Sequence, residues 1–127
     1  MDVLVVEDSG ALVDLWRVTL EGAGHSVVSA AGPSEARTVL LSSAMDAVLL
    51  DLNLGTESGL SVATMATYQN PDCKVIVVTG SQLFPRGELF AMDSSIVSVL
   101  RKPVAPRDLL AMIEHHAPGH GAAQSVP

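Results

Sequence analysis

The stretch Ala47-Val48-Leu49-Leu50-Asp51 places a carboxylate directly after a run of four apolar residues. The earlier stretch Val3-Leu4-Val5-Val6-Glu7-Asp8 repeats the arrangement with two acids. Short runs of consecutive apolar residues are typical of strands that are buried on both faces of a parallel sheet. A carboxylate at the end of such a strand lies where the sheet opens to solvent. We therefore expect both strands to bring acids to the same edge of a sheet.

Five runs rich in branched apolar residues alternate with segments of helical spacing. An alternation of strands and helices predicts an α/β fold in which helices cover both faces of a parallel sheet. Five strands and five helices fit a doubly wound, flavodoxin-like sheet of order 2-1-3-4-5. Strands are predicted over residues 3–6, 26–29, 47–50, 74–78 and 96–100, and helices over 12–20, from Pro33, from Glu57 or Ser58, over 84–92 and from Pro106.

The length and composition limit the domain organisation. The chain has 127 residues, of which 48% are hydrophobic and only 3% aromatic, so it predicts one folded domain with an aliphatic core. The last residues combine Gly, Ala, Ser, Gln and Pro without helical or strand periodicity. We expect the folded domain to occupy residues 1–116 and a flexible tail to occupy residues 117–127.

The net charge and the cysteine content limit which partners and which cellular compartment are expected. The formal net charge is −7, and no cluster of Lys and Arg interrupts the acidity. Nucleic acids and anionic membranes both attract basic surfaces, so neither is expected as a direct partner. Cys73 is the single cysteine, so an intrachain disulfide cannot form. With no signal peptide or transmembrane run in the sequence, we expect a cytoplasmic protein.

Polar side chains at the ends of the predicted strands form a candidate site. Parallel strands of a doubly wound sheet end at one edge, so these side chains are expected to lie together. The carboxylates, with the backbone carbonyl of Asn53, offer the oxygen ligands that Mg²⁺ prefers. Mg²⁺ would also relieve the repulsion between them. The candidate side chains are Glu7, Asp8, Asp51, Thr79 and Lys102.

The same group of residues suits phosphoryl transfer. A carboxylate can attack a phosphoryl group and form an aspartyl phosphate. The transferring group spreads negative charge over its equatorial oxygens, which a cation and hydrogen-bond donors can stabilise. Mg²⁺, the ammonium of Lys102 and the hydroxyl of Thr79 can supply these interactions. Asp51 is therefore the candidate phosphoryl acceptor.

The arrangement closely resembles the receiver domains of two-component signalling. Glu7-Asp8, Asp51, Thr79 and Lys102-Pro103 follow the first, third, fourth and fifth predicted strands, and Gly59 lies eight residues after Asp51. The resemblance covers residues 2–116 and implies a response-regulator receiver domain over that range. It implies transfer of a phosphoryl group onto Asp51 from a sensor histidine kinase or a histidine phosphotransfer protein, with Mg²⁺ as cofactor.

The resemblance has further implications for activity and output. The protein would not be an enzyme beyond catalysing its own phosphorylation and dephosphorylation. Phosphorylation would draw Thr79 toward the phosphoryl group and reshape the face of the fourth predicted helix, the fifth strand and the fifth predicted helix. A downstream protein partner would bind that face. A cis peptide is implied between Lys102 and Pro103.

Two positions depart from the family pattern. Many receiver domains carry an aromatic residue three positions before the conserved lysine, where this chain has Val99. The aromatic half of the usual switch is therefore missing. Many also carry proline four residues after the acceptor, where this chain has Gly55, so we expect a looser loop after Asp51.

Two other functions compete with the receiver interpretation. The stretch Asp51-Leu52-Asn53 permits a phosphohydrolase that uses an aspartyl nucleophile. Haloacid-dehalogenase-like enzymes, however, place the nucleophile after the first strand, with a second acid two residues later. A receiver-like binding module that accepts no phosphoryl group is the other alternative. Its hallmark would be the loss of an acid or of the lysine, and this sequence retains all of them.

The remaining candidate side chains have structural interpretations. Ser9 is expected to be the N-cap of the first helix. Trp16 is expected to pack against the core near the acidic end, where its fluorescence should report Mg²⁺ binding. Cys73 is expected to be structural. His115 and His116 occupy adjacent positions, which do not share a helix face, so we expect neither a metal site nor a phosphohistidine there.

Overall fold

A computed structural model describes residues 1–52, 56–80 and 96–116, except for the side chains of residues 56–59. Each predicted strand lies within an observed strand that is one residue longer. The described ranges contain β1 (Asp2–Val6), α1 (Gly10–Gly22), β2 (Ser26–Ala30), α2 (Pro33–Ser42), β3 (Ala47–Asp51), α3 (Thr56–Gln69), β4 (Lys74–Thr79), β5 (Ile96–Arg101) and α4 (Pro106–His115).

All five strands pair in parallel in the order β2-β1-β3-β4-β5. The predicted α/β fold and its doubly wound order are therefore confirmed. The chain leaves β1 toward one edge of the sheet and then returns past it to form β3. In doubly wound sheets the ligand site lies at this switch point, outside the carboxyl ends of the strands. Here those ends carry Glu7 and Asp8 after β1 and Asp51 in β3.

Apolar side chains cover both faces of the sheet. Leu4 and Val6 face a cluster that includes residues of α2 and α3, whereas Val3 and Val5 face a cluster that includes residues of α1 and α4. Alternate residues of one strand are thus buried on opposite faces, which explains its uninterrupted apolar sequence. Burying an aliphatic side chain of this size contributes about 1.5–3 kcal/mol, so both layers hold the strand ends in place.

The helices begin and end with recognisable signals. The hydroxyl oxygen of Ser9 accepts a hydrogen bond from the Leu12 N–H at 3.4 Å, which confirms the predicted N-cap of α1. After α1, Gly24 adopts a φ of 94°, a left-handed conformation that favours glycine. Helices α2 and α4 begin at prolines, as predicted, since proline needs no N–H partner in a first turn. Helix α3 begins at Thr56, ahead of the predicted start.

Several predictions lie outside the described residues. They concern the fourth predicted helix over residues 84–92, the backbone carbonyl of Asn53, the loop at Gly55 and the tail over residues 117–127. The observed α4 is therefore the fifth predicted helix. None of the helices in the described ranges is both long enough and apolar enough to cross a membrane.

Candidate functional site

Three acids and one base meet at the carboxyl edge of the sheet. Carboxylate oxygens of Glu7, Asp8 and Asp51 all lie within 4.8 Å of one another. Lys102 follows β5 and extends its ammonium into this group. Its Nζ lies 2.7 Å from Glu7 Oε1 and 3.2 Å from Asp51 Oδ2. These four residues form the acidic cluster.

The acidic cluster is buried on one side and open on the other. Glu7 and Asp51 are 2% and 1% exposed, whereas Asp8 is exposed to solvent. A buried carboxylate requires hydrogen bonds or an opposite charge. Both oxygens of Glu7 are bonded, because Oε1 accepts from Lys102 and Oε2 accepts from the Ser9 N–H at 3.2 Å. A ligand would therefore approach from the side of Asp8.

Lys102 supplies a permanent positive charge to the cluster. Burial by itself lowers the pKa of its ammonium. Hydrogen bonds to Glu7 and Asp51, together with attraction to their charges, outweigh this effect and raise the pKa above its ordinary value of 10.5. Lys102 is therefore charged throughout the physiological range of pH.

The donor set of the acidic cluster fits a hard divalent cation. Among the residues that the structure describes, three carboxylates face the ammonium of Lys102, so with all acids ionised negative charge is in excess there. All three acids offer oxygen, and two of them are held in place by burial. Mg²⁺ binds oxygen ligands and keeps several waters, so a partly open group of carboxylates suits it. The Asn53 carbonyl, predicted as a further ligand, lies outside the described residues.

Thr79 ends β4, which lies between β3, the strand that ends in Asp51, and β5, the strand that Lys102 follows. Its side chain is buried, at 2% exposure, and its backbone oxygen accepts a hydrogen bond from the Lys102 N–H at 2.9 Å. The peptide between Lys102 and Pro103 is cis, as expected. The backbone thus fixes the start of the loop after β5 against the end of β4. Glu7, Asp8, Asp51, Thr79 and Lys102 all lie at the edge where the sequence predicts them.

Val99 occupies the position where an aromatic residue is expected from the family pattern. It lies beside Val77 in the sheet and is 6% exposed. Both valines belong to the apolar cluster that includes α2 and α3. An aliphatic side chain is therefore built into the core at this position.

Two relationships at the edges of the sheet are absent from the sequence predictions. Trp16 and the loop that carries Lys102 line the same cavity, although the two segments are far apart in the chain. At the opposite edge, His25 Nε2 lies 3.2 Å from Glu114 Oε2 and links the start of β2 to α4. Neither relationship has a local signal, because each depends on how the helices pack on the sheet.

The other reactive side chains have well-defined surroundings. Burial, with the nearby charge of Asp46, raises the pKa of the Cys73 thiol from 9.0 to about 12. Such a thiol is not a nucleophile at neutral pH. The His115 and His116 rings meet edge to face, with centroids 4.9 Å apart. Within the described residues, the group of acids, histidines and cysteines that could hold a metal is Glu7, Asp8 and Asp51.

Comparison with known sequences gives a consistent family match. The sequence profile described as "Response regulator receiver domain" matches residues 3–114. The chain is 33% identical over 107 residues to the alginate biosynthesis transcriptional regulatory protein AlgB of Pseudomonas aeruginosa, covering 84% of this chain and 24% of that protein. It is 31% identical over 111 residues to the regulatory protein VirG of Agrobacterium fabrum, covering 87% and 44% respectively. The chain thus spans less than half the length of each relative.

Solved structures share the fold. A CheY-like response regulator receiver domain protein from Methanospirillum hungatei JF-1 superposes with a TM-score of 0.82 at 27% identity, covering 96% of this chain and 97% of that one. A response regulator from Thermotoga maritima superposes with a TM-score of 0.75 at 26% identity, covering 91% and 95% respectively. Because nearly the full length of each structure is covered, the similarity extends to the whole sheet and its helices.

Proposed function

Because this chain belongs to the response regulator receiver domain family, we propose that Asp51 is the residue that accepts a phosphoryl group. The proposed donor is a phosphohistidine on a sensor histidine kinase or on a histidine phosphotransfer protein. The chain has a signalling role, and its catalysis concerns its own phosphorylation and dephosphorylation. The observation that carries the proposal is the contact of the Asp51 carboxylate with Lys102 at 3.2 Å inside a group of three acids.

Asp51 is the acid whose position suits nucleophilic attack. It ends β3, the strand that pairs with both β1 and β4, and its side chain lies between Glu7 and Thr79 in the order of the sheet. Glu7 is instead the acid that holds Lys102, and its two oxygens accept hydrogen bonds from the Lys102 ammonium and from the Ser9 N–H. Asp8 is exposed and lacks the fixed setting that positions a nucleophile.

The transfer step follows from this arrangement. A carboxylate oxygen of Asp51 attacks phosphorus and forms a P–O bond as the P–N bond of the phosphohistidine breaks. The electron pair of that bond stays on the imidazole nitrogen that carried the phosphoryl group. Because the other ring nitrogen keeps its proton, the ring leaves as neutral imidazole. Lys102, as a point charge, stabilises the phosphoryl oxygens, and Thr79 can donate a hydrogen bond to one of them.

Glu7, Asp8 and Asp51 would hold Mg²⁺, with the Asn53 carbonyl as a further proposed ligand. When bound, Mg²⁺ supplies positive charge that stabilises the negative phosphoryl oxygens. The contribution of the chain itself is to hold the acids close together. Burial fixes Glu7 and Asp51, and the Ser9 N–H fixes the second oxygen of Glu7.

Signal output is proposed to pass to a downstream protein, through a surface that includes β5 and α4. A cytoplasmic location is proposed from the single cysteine and the acidic sequence. Because the curated relatives are longer than this chain, further domains of the whole protein could carry the output. The aliphatic Val99 in the core means that this output proceeds without an aromatic switch at that position.

Phosphorylation by a small donor tests the proposed acceptor. The protein is incubated with acetyl phosphate and Mg²⁺, and its intact mass is measured over time. We expect the gain of one phosphoryl group, no gain in Asp51→Asn, and no gain when EDTA removes the metal. Asp72→Asn is a matched control, because it removes an exposed carboxylate at the opposite edge of the sheet.

The same experiment separates the competing functions. No mass gain from acetyl phosphate or from a phosphorylated histidine kinase would favour the binding module. Repeated turnover of a small phosphate ester would favour the phosphohydrolase. A gain that persists in Asp51→Asn would move the acceptor to another residue.

A further inference from the structure

Helix α1 and the loop that follows β5 line the same cavity. Its volume is about 390 Å³, and α1 contributes Leu12, Leu15 and Trp16 to its lining. The loop contributes Lys102, Pro103 and Val104, and Val104 packs against the apolar cluster that contains Trp16. The segment that carries the ammonium of the acidic cluster therefore borders the same cavity as Trp16.

Trp16 is an unusual residue for the core of α1. It is the only tryptophan in the chain and is 1% exposed. Its indole Nε1 is buried and has no hydrogen-bond partner among the residues that the structure describes. A buried N–H without a partner lowers stability, and an aliphatic residue would avoid that cost. The value of an indole here therefore lies in its size and rigid shape rather than in its polar atom.

Hydrogen bonds hold both the backbone and the side chain of Lys102. Its backbone N–H donates to the Thr79 oxygen at 2.9 Å, and its ammonium contacts Glu7 at 2.7 Å and Asp51 at 3.2 Å. These contacts fix the two ends of the residue. The residues that α1 contributes to the lining of the cavity, Leu12, Leu15 and Trp16, are all largely apolar.

We propose that Trp16 is a positioning residue for Lys102. Its indole supports the loop from the side of α1, and so sets how far the ammonium reaches into the acidic cluster. The proposal rests on the proposed function, because it concerns the lysine that would stabilise the transferring phosphoryl group. Transfer onto Asp51 would draw the ammonium from Glu7 to the phosphoryl oxygens. The loop would then shift against Trp16, and the indole would report the reaction.

Trp16→Leu tests the positioning role, because it keeps an apolar side chain but removes the rigid support. The rate of phosphorylation by saturating acetyl phosphate and the affinity for Mg²⁺ are measured separately. We expect the rate to fall about tenfold, since small displacements of a catalytic group reduce rates by large factors. The Mg²⁺ affinity should stay within about twofold, because Lys102 is not a metal ligand. Trp16→Phe should restore most of the rate.

Leu20→Ala is the matched control for a loss of packing. Leu20 lies one turn further along α1, is fully buried in the same apolar cluster and does not line the cavity. This variant should be less stable than the parent protein but should phosphorylate at the parental rate wherever it is folded. An equal loss of rate in Leu20→Ala and Trp16→Leu would overturn the positioning role.

The fluorescence of the unmodified protein gives a second test that needs no variant. The Trp16 emission spectrum and its quenching by acrylamide are recorded before and after phosphorylation, with the phosphoryl group counted by intact mass. We expect the emission to change in proportion to the phosphorylated fraction. A full mass gain with unchanged emission, together with a parental rate in Trp16→Leu, would overturn this inference alone. The absence of any mass gain in the parent protein would overturn the proposed function as well.

Discussion

The ammonium of Lys102 lies 2.7 Å from Glu7 Oε1, joining residues 95 positions apart in the chain. Its contact with Asp51 is longer, at 3.2 Å. The lysine is thus anchored chiefly on the acid that is not expected to react. This arrangement leaves the charge of Lys102 beside Asp51 while Glu7 holds it in place. The stability of the apo protein and the chemistry of the site therefore depend on the same residue.

Lys102→Met should destabilise the metal-free protein in a pH-dependent way. Two buried carboxylates would lose their ion pair with Lys102, at a cost of about 1–3 kcal/mol in the free energy of unfolding. The pKa of Lys102 is raised above 10.5, so its stabilising effect is fully present below that value. The effect is lost as the pH rises through the raised pKa. Urea unfolding of the parent protein and of Lys102→Met, from about pH 8 to about pH 11, measures the difference in their free energies of unfolding.

Lys74→Met is the matched control for this prediction. Lys74 is the only other lysine in the sequence, and it begins β4 at the opposite edge of the sheet. It should leave the contacts of the acidic cluster intact. The free energies of unfolding of the parent protein and of Lys102→Met could instead differ by the same amount up to high pH. That result would show that the ion pairs contribute no stability.

Asp8→Asn should weaken Mg²⁺ binding and stabilise the apo protein. Asp8 is the exposed acid of the cluster, so it contributes charge and a proposed metal ligand without core packing. Losing one of three carboxylates is expected to lower the Mg²⁺ affinity by about tenfold or more, which corresponds to at least about 1.4 kcal/mol. Calorimetric titration measures the affinity, and urea unfolding without metal measures the stability.

Asp72→Asn provides the comparison for Asp8→Asn, because it makes the same charge change at an exposed position away from the site. Equal Mg²⁺ affinities in the two variants would argue against Asp8 as a ligand.

Cys73 should resist alkylation in the folded protein. The residue is 2% exposed, and burial with the nearby Asp46 raises the pKa of its thiol to about 12. Because the thiolate is the reactive form, labelling by iodoacetamide at about pH 8 should require unfolding. We expect the labelling rate to rise in urea together with the unfolded fraction. Rapid labelling of the native protein would contradict the buried setting.

Much of the fold could be predicted from local sequence signals. The run from Ala47 to Leu50 is apolar at each position, and this pattern predicts a strand that is buried on both faces, as β3 is. Ser9 and Pro106 have the chemistry of helix starts, so they mark α1 and α4. The acidic cluster could also be predicted, because parallel strands end at one edge and each strand end carries its own polar residue.

Other features depend on tertiary packing and have no local signal. The position of Trp16 beside the loop of Lys102 depends on the angle at which α1 crosses the sheet, which periodicity does not determine. The same holds for the contact between His25 and Glu114. The shift in register between β4 and β5, where Val75 and Ile76 face Ile96 and Ser98, also follows from strand pairing rather than from composition. The sequence predicts the helix α1 but neither which of its apolar residues are buried, since Leu15 and Val18 are exposed, nor the loop that lies beside it.

The identity of the phosphorylated residue is the central claim, and chemical trapping tests it most directly. The protein is phosphorylated with acetyl phosphate and Mg²⁺, reduced with sodium borohydride and mapped by peptide mass spectrometry. Borohydride reduces an aspartyl phosphate, an acyl phosphate, to homoserine and leaves free carboxylates unchanged. We predict homoserine at position 51 and unmodified Glu7 and Asp8. Reduction at either of those acids, or no reduced residue in a protein that has gained a phosphoryl group, would contradict the assignment of Asp51 as the acceptor.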